Sequence, residues 1–565
     1  MSYHTFFIPV MGTGFTVDAP LKVAQYGIDS VISLVDDILI ENIHRHYLDL
    51  EKISFTKIKP GTKDARAQRI TRYLNYVNET VNRQIASMKK EISSAVSGLT
   101  RYFKMLPECI EKKLFEQYQN AAGSVKAKLF EEICAKLKPG VIDVNIMTKL
   151  DVNQSIEPAN NEFTDAKLAL KGFALSDVDA SVVLSAGMNP SLFAYMTGFK
   201  DFYPDKNGHC KKRIILKVSD FRSAKVQGMY LAKKGLWVSE FRVESGINCG
   251  GHAFPAEGIL SGPILSEFSQ NIELLTSAMA EKYFQALERD SVPLYGFVPS
   301  VKLTYQGGLG SSEEHNFLLR EYSLSEAGWG SPFLMVPDVV TLDETTRSAL
   351  LNVQENDIQL SAASPLGTPY WNLLTTESEA ERVRLIKEGA PGSPCPKGFL
   401  KVLTDKNGKP VCPASNDFFR NADAHEKEKN LMRSCICHDL SGCIARVLNL
   451  PGTQNPAICP GPNVINFKKN FSLEEMIDHI YGRGTYRLPA GRPHFFIHEI
   501  NLYMDYYFFS GIFTHSDKVK NNAVENIEKG IHYYKETFGD SFVPAEIFEK
   551  LEKIKKIAGK SLICQ

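Results

Sequence analysis

The chain has 565 residues, about three to four times the usual domain size, which excludes a single small domain. Apolar residues make up 43% and charged residues 23%, the balance of an ordinary globular protein with enough apolar side chains for a large core. The 65 Lys+Arg and 65 Asp+Glu cancel, which argues against a surface built as a whole for nucleic acid or for acidic membranes.

The first strand candidate runs from Phe6 to Val10 and ends in the Gly-rich loop Met11-Gly12-Thr13-Gly14. Ala19 to Tyr26 has helical spacing and Ser30 to Val35 is a second β-branched run, so the opening reads as a βαβ unit of a parallel sheet. That grammar stops at Asp36 and resumes at Val141. Residues 37–139 form an insertion with long helical patterns, Arg66 to Met88 and Ile110 to Leu137, broken near Pro107 and Gly123. Between residues 51 and 140 there are 18 Lys+Arg against 9 Asp+Glu. Such a basic segment is either a solvated helical face or a lid that recruits an anionic substrate or an acidic carrier.

Six further strand candidates follow: Val141 to Met147, Ala180 to Leu184, Arg213 to Val218, Val238 to Glu244, Val301 to Tyr305 and Gly328 to Val336. Eight strands alternating with helices predict an α/β fold, a (β/α)8 TIM barrel built from residues 1–36 and 140–338, near the usual barrel size of about 250 residues. A doubly wound open sheet is the competing architecture. Residues 339–565 form a long C-terminal extension. It has Pro/Gly-rich loops with clustered cysteines at about 360–465, then helical stretches at Leu473 to Ile480, Glu499 to Phe508 and Asn521 to Phe538, either a separate domain or a wrap around the barrel.

No run of about 18 apolar residues occurs, and the first fifteen residues lack the basic start and cleavage site of a signal peptide, which predicts a cytoplasmic protein. Eleven cysteines are an odd count over a long chain and read as thiols or ligands, not as a disulfide framework. Six lie between 395 and 459. Cys435, Cys437, Cys443 and Cys459 are the weak candidates for an iron–sulfur cluster or zinc, although their spacing matches neither the zinc pair nor the ferredoxin run. His494 and His498 stand four apart without an evident third ligand.

In such barrels the chemistry sits at the carboxyl ends of the strands. Three loops there are rich in glycine: Met11-Gly12-Thr13-Gly14, Gly250-Gly251-His252 and Gly307-Gly308-Leu309-Gly310. Glycine lets backbone N–H groups approach a ligand closely, and successive N–H groups form a nest for phosphate oxygens. Barrels frequently bind phosphate between the loops after strands 7 and 8, where Gly307 to Gly310 and Gly328-Trp329-Gly330-Ser331 fall. His252 follows Gly-Gly at a strand end, and imidazole titrates near neutrality, which suits a general acid/base.

These segments resemble the flavin-dependent barrel family of nitronate monooxygenases (2-nitropropane dioxygenases) and FMN-dependent enoyl-carrier-protein reductases. IPVMGTGFTVDAPLKVAQYGIDSVIS resembles the opening strand and flavin loop of that family, and PGVIDVNIM its third strand. VESGINCGGHAF resembles its G-x-E-A-G-G-H loop, while TYQGGLGSSEEH and AGWGSPFLMVP resemble its two phosphate-loop strands. The match covers the barrel but neither the insertion nor the extension. Asn248-Cys249 stands where the family has Glu-Ala, and Ser331-Pro332 where it has Thr-Arg.

The resemblance implies an FMN-dependent oxidoreductase with His252 as acid/base, its imidazole over the flavin. It also implies that Met11, Gly12 and Thr13 face the ring with Gly250 and Gly251 nearby, Asn145 approaches the ring edge, and Lys217 contacts the phosphate or polar side. Gln306 would bond to the ring, while Gly307, Gly308, Gly310, Gly330 and Ser331 would hold the phosphate. Three functions follow as expectations: oxidation or reduction of a small carbon acid, as in nitronate monooxygenases; reduction of an enoyl thioester by NAD(P)H; or a non-catalytic FMN-binding scaffold. No strand-linked G-x-G-x-x-G is present, so a nicotinamide would visit the flavin without a Rossmann domain.

Overall fold

In the computed structural model eight strands form a closed barrel in chain order, and every neighbouring pair is parallel. They are β1 (Phe6–Ile8), β2 (Asp29–Ser33), β3 (Ile142–Ile146), β4 (Ala180–Leu184), β5 (Lys212–Val218), β6 (Val238–Glu244), β7 (Lys302–Gln306) and β8 (Glu326–Gly328). Pairing of Phe6 with Ala327 closes the ring and excludes the open sheet. The structure describes every residue except 1, 60, 91–96, 149–150, 152–163, 186, 251–255, 364–368, 395–400, 402, 407, 432–436, 511–514 and 564–565.

Proline sets two strand ends. Pro9 lacks the N–H that would extend the ladder, so β1 stops at Ile8, short of the expected Val10. The last strand is displaced from its expected place at Gly328 to Val336: β8 ends at Gly328, and Ser331–Met335 is a 3-10 helix with Pro332 in its first turn. Pro332 fixes φ for a helical start and cannot donate to a strand, so the apolar run Phe333 to Val336 is buried as a helical turn instead.

The barrel interior is polar at both ends. Alternation along the strands places Glu240, Arg242 and Glu244 of β6 on one face, and Lys302, Thr304 and Gln306 of β7 on one face. Val31, Val183 and Ile215 form a small separate apolar cluster with Val10 at the middle level. Beside it the Arg242 guanidinium stacks 3.9 Å from the Phe7 ring centroid and pairs with Glu240 at 2.7 Å.

The insertion is helical, as expected. Ala65–Met88 packs on the outer wall against the helix Asp165–Ala174, with Arg66 donating to the carbonyls of Leu34 and Val35 just beyond β2. Gly98–Met105, Ile110–Asn120 and Gly123–Lys136 follow. They dock at the amino ends of the strands: Tyr3 donates to the Lys136 carbonyl and Tyr102 to the Lys138 carbonyl. These three helices therefore make no lid over the carboxyl-end mouth. Two further cations, Arg66 and Arg69, are spent on Asp37 and Glu41.

The extension wraps the barrel. Its hairpin Ile358–Ser361/Tyr370–Leu373 sends Trp371 Nε1 to the Gly246 carbonyl beyond β6. Helix Leu473–Ile480 leads to Tyr481, which bonds His4 and the N–H of Thr5 at the foot of β1. Helix Phe495–Met504 carries Glu499, a fully buried carboxylate that accepts from Ser245 Oγ and from both the N–H and Oγ of Ser261, where the helix Ser261–Arg289 begins. Among the described residues no helix is long and apolar enough to cross a membrane.

Candidate functional site

At the carboxyl-end mouth β3, β5, β6 and β7 each contribute one polar side chain from their last two residues. Glu244 is the hub. Its Oε1 accepts from Gln306 Nε2 at 2.6 Å and from Asn248 Nδ2 at 2.7 Å, and Lys217 Nζ lies 3.2 Å away. All four groups are buried, so this charge-assisted cluster is held in a low-dielectric setting where its geometry is rigid. Asn145, on β3, is 5% exposed and its carboxamide oxygen has no hydrogen-bond donor among the described residues. A buried acceptor left unpaired costs about 1–3 kcal/mol.

The Gly-rich turns have two roles. Among the described residues, the N–H groups of Gly307, Gly308, Gly330 and Ser331 meet no protein acceptor. The turn after β7 is nonetheless partly filled by the protein itself. The Gly310 N–H donates to Glu314 Oε2 at 2.9 Å, Arg492 Nη2 donates to the Gly308 carbonyl, and Asn463 Nδ2 donates to the Leu309 carbonyl. The Ser331 hydroxyl likewise donates to the Pro460 carbonyl at 2.7 Å. A carboxylate, Glu314, thus sits where the sequence placed a phosphate near Gly310.

Other glycines serve close packing. A Cβ on Gly250, at φ +70°, would lie 2.1 Å from the Met11 carbonyl group, so the loops after β1 and β6 touch backbone to backbone. Gly12 lies against the Phe15 ring, and the Met11 side chain is buried near Gly330. Thr13 is half-buried beside Gly12. Gly251 and His252 lie outside the described residues. Cys249 is buried and its thiol donates to the Cys459 carbonyl at 3.2 Å; burial and the nearby Cys459 push it well above the usual thiol range, which keeps it a packed thiol.

The other metal candidates disperse. Cys435 lies outside the described residues, Cys443 is buried against the Thr346 hydroxyl, and Cys459 packs on Cys249. Cys437 is half-buried. Among the described residues no three His, Cys, Asp or Glu side chains converge as a metal site. His494 caps its own helix by accepting from the Phe496 N–H, and burial pushes both His494 and His498 down to about 4, as expected of packed neutral rings.

Sequence reasoning missed Glu244, Glu314 and Arg492. For Glu244 a signal exists: Glu240, Arg242 and Glu244 alternate with the apolar Phe241 and Val243, which marks an inward polar face. Arg492 and Glu314 are 178 residues apart, and nothing local joins them.

No family model matches the chain, and no curated protein matches it either. Among solved structures it is similar to FabK from Thermotoga maritima, at 11% identity over 63% of this chain and 79% of that one, with a TM-score of 0.33. The enoyl reductase domain of MlnA, from the macrolactin biosynthesis cluster of Bacillus amyloliquefaciens, gives 13% identity, 64% and 86% coverage, and a TM-score of 0.35. Nitroalkane oxidase from Streptomyces ansochromogenes gives 10%, 63% and 85%, and 0.29. At these values the likeness carries no argument for cofactor or substrate, and the fold rests on the strand order itself.

Proposed function

We propose that the chain is an FMN-dependent oxidoreductase acting on a small carbon acid, nitronate-like in chemistry, at the carboxyl-end mouth of its barrel. The observation that carries this reading is the carboxamide oxygen of Asn145, buried and unpaired among the described residues at the carboxyl end of β3, on the same barrel rim as the Lys217–Glu244–Gln306 cluster. A planar ring with N–H donors, such as a flavin, would satisfy it. The free N–H groups of Gly307, Gly308, Gly330 and Ser331 fit phosphate oxygens. Gly310 does not join them, because Glu314 takes its N–H, and Ser331 would contribute its amide while its hydroxyl stays on Pro460.

Bound FMN would supply two-electron transfer to or from the substrate carbon. Lys217, anchored by Glu244, would place a positive charge where negative charge gathers on the ring, and Gln306 would present its remaining carboxamide oxygen. The Met11–Gly250 contact locks the two loops that would flank the ring, and His252, two positions beyond Gly250, would take the proton from the carbon acid. The enoyl-thioester reading loses some of the support that favoured it, because much of the basic insertion docks at the opposite end of the barrel.

The test begins with the visible spectrum of the purified protein: bands near about 375 and 450 nm indicate bound flavin. Nitroalkane anions should then reduce the bound flavin without NADPH, and His252→Ala should retain the flavin while losing turnover. Reduction by NADPH followed by reoxidation with an enoyl thioester selects the reductase reading instead. Retained flavin with no turnover on either substrate class selects the scaffold. A colourless protein that takes up no added FMN refutes the proposal.

A further inference from the structure

At the opposite end of the barrel, away from the mouth, a cavity of about 700 Å³ opens beneath the amino ends of the strands. Residues from the start of β2, β3, β4, β5, β7 and β8 line it, as do Asn78, Val81 and Asn82 of the helix Ala65–Met88. The apolar cluster of Val31, Val183 and Ile215 lies between this cavity and the polar layer at the mouth. This volume is within the range of small-molecule sites, about 300–1,000 Å³.

The charges in its wall do not balance. Three cations line the cavity and each already has a carboxylate: Arg213 on Asp179, Arg242 on Glu240 at 2.7 Å, and Lys302 on Glu326 at 2.9 Å. Asp29 and Asp143 have no such partner. Each uses one oxygen to accept a backbone N–H, from Val141 and Ser181 respectively, and the other oxygen has no protein donor among the described residues. The hydroxyl of Ser30, 1% exposed in the same wall, has no partner among the described residues. The same wall carries the aliphatic side chains of Val31, Val81, Ile142 and Val178.

We propose that this cavity is a binding site for an aliphatic di- or polyamine, with ammonium groups on Asp29 and Asp143 and methylenes along the aliphatic wall. The unmet acceptors call for N–H donors, the carboxylates left over call for positive charge, and the apolar stretches call for carbon between them. A bare divalent cation answers the first two demands with metal–oxygen bonds but leaves the aliphatic wall and most of the volume unused. Burial, together with the Glu326 carboxylate, holds Asp29 well above the usual carboxylate range, and burial raises Asp143 against the opposing pull of Arg242 and Arg213. The site does not rest on the flavin reading, because Asn145, Lys217 and the Gly-rich turns are not among the residues that line it.

The test is calorimetric titration of the full-length protein with putrescine and with spermidine at low and physiological salt. Saturable binding is expected with both, weakening as salt rises. The Asp29→Asn/Asp143→Asn variant should lose at least about tenfold in affinity, which is one decade of Kd. That variant removes buried charge, so it should fold, and an unchanged or raised melting temperature checks this. Asn145→Leu should leave amine binding intact whatever it does to flavin, so the two proposals fail separately. Absence of saturable binding up to about 1 mM amine overturns the proposal. So does equal affinity in the double variant, and so does full displacement of the amine by equimolar Mg2+, which would assign the site to a metal.

Discussion

Arg492 lays its guanidinium across the carboxylate of Glu314, with Nη1 2.6 Å from Oε1 and Nη2 3.0 Å from Oε2. Glu314 is buried and Arg492 partly so, and Glu314 also accepts the N–H groups of Gly310 and Phe495. One carboxylate thereby ties the turn after β7 to the C-terminal extension. Removing one partner of such a pair leaves a buried charge uncompensated, at a cost of about 3–5 kcal/mol. Arg492→Met should lower the unfolding free energy by that order in urea melts. Adding Glu314→Gln should recover part of the loss, because the stranded charge is gone. A single variant within about 0.5 kcal/mol of the parent would show the pair to be energetically neutral.

Asn145 separates a ligand role from a structural one. Leucine shares the branching and heavy-atom count of asparagine and has no polar atom, so Asn145→Leu relieves an unpaired buried oxygen worth about 1–3 kcal/mol, from which its bulkier methyl groups subtract. The flavin-free variant should melt at or above the parent temperature while its affinity for FMN falls about 10- to 100-fold, followed by fluorescence quenching on titration. A variant that melts lower and binds FMN as before would make Asn145 a structural residue with an unseen partner.

The barrel was legible in the sequence because its signals are local. Seven of the eight strand candidates overlap β1 to β7, and parallel strands buried on both faces show as short apolar runs. β8 was misplaced because Phe333 to Val336 is as apolar as a strand, and only Pro332 argues otherwise. The site was legible where glycine or a strand-end polar residue marked it, as at Asn145, Lys217 and Gln306. It was illegible where the extension enters: the contacts of Arg492, Asn463 and Pro460 with the turns after β7 and β8 span more than a hundred residues and leave no periodic trace.

Gly250 tests the contact between the loops after β1 and β6. An added methyl would meet the backbone of Met11, which cannot rotate away, and φ is +70°, where an L side chain is strained. Gly250→Ala should cost about 1–3 kcal/mol from overpacking with a further ~1 kcal/mol from the backbone conformation. Calorimetric melting checks this, and an unchanged transition would mean that the loops do not meet.

His315 makes a pH dependence with a definite sign. Trp329 Nε1 donates to its Nδ1 at 3.2 Å, so Nδ1 carries no proton and Nε2 donates to Thr5 Oγ1 at 2.9 Å, joining the end of β8 to the foot of β1 in one tautomer. Burial pushes the ring down to about 4 from its ordinary 6.5. Between those values the unfolded chain takes up a proton that the native ring refuses, so stability is full above about 6.5, falls as the pH falls, and levels off below about 4. At one pKa unit per 1.36 kcal/mol the ring accounts for about 3 kcal/mol across that window. Burial lowers His4, His44, His494 and His498 to about 4 in the same way, so five rings share the acid sensitivity. Urea midpoints at pH 7 and pH 5 should show a marked loss on acidification. His315→Gln, which keeps an acceptor and a donor but does not titrate, should reduce that loss by about a fifth. A loss of unchanged size in the variant would mean that the native ring takes up its proton at pH 5, and that Trp329 does not hold Nδ1.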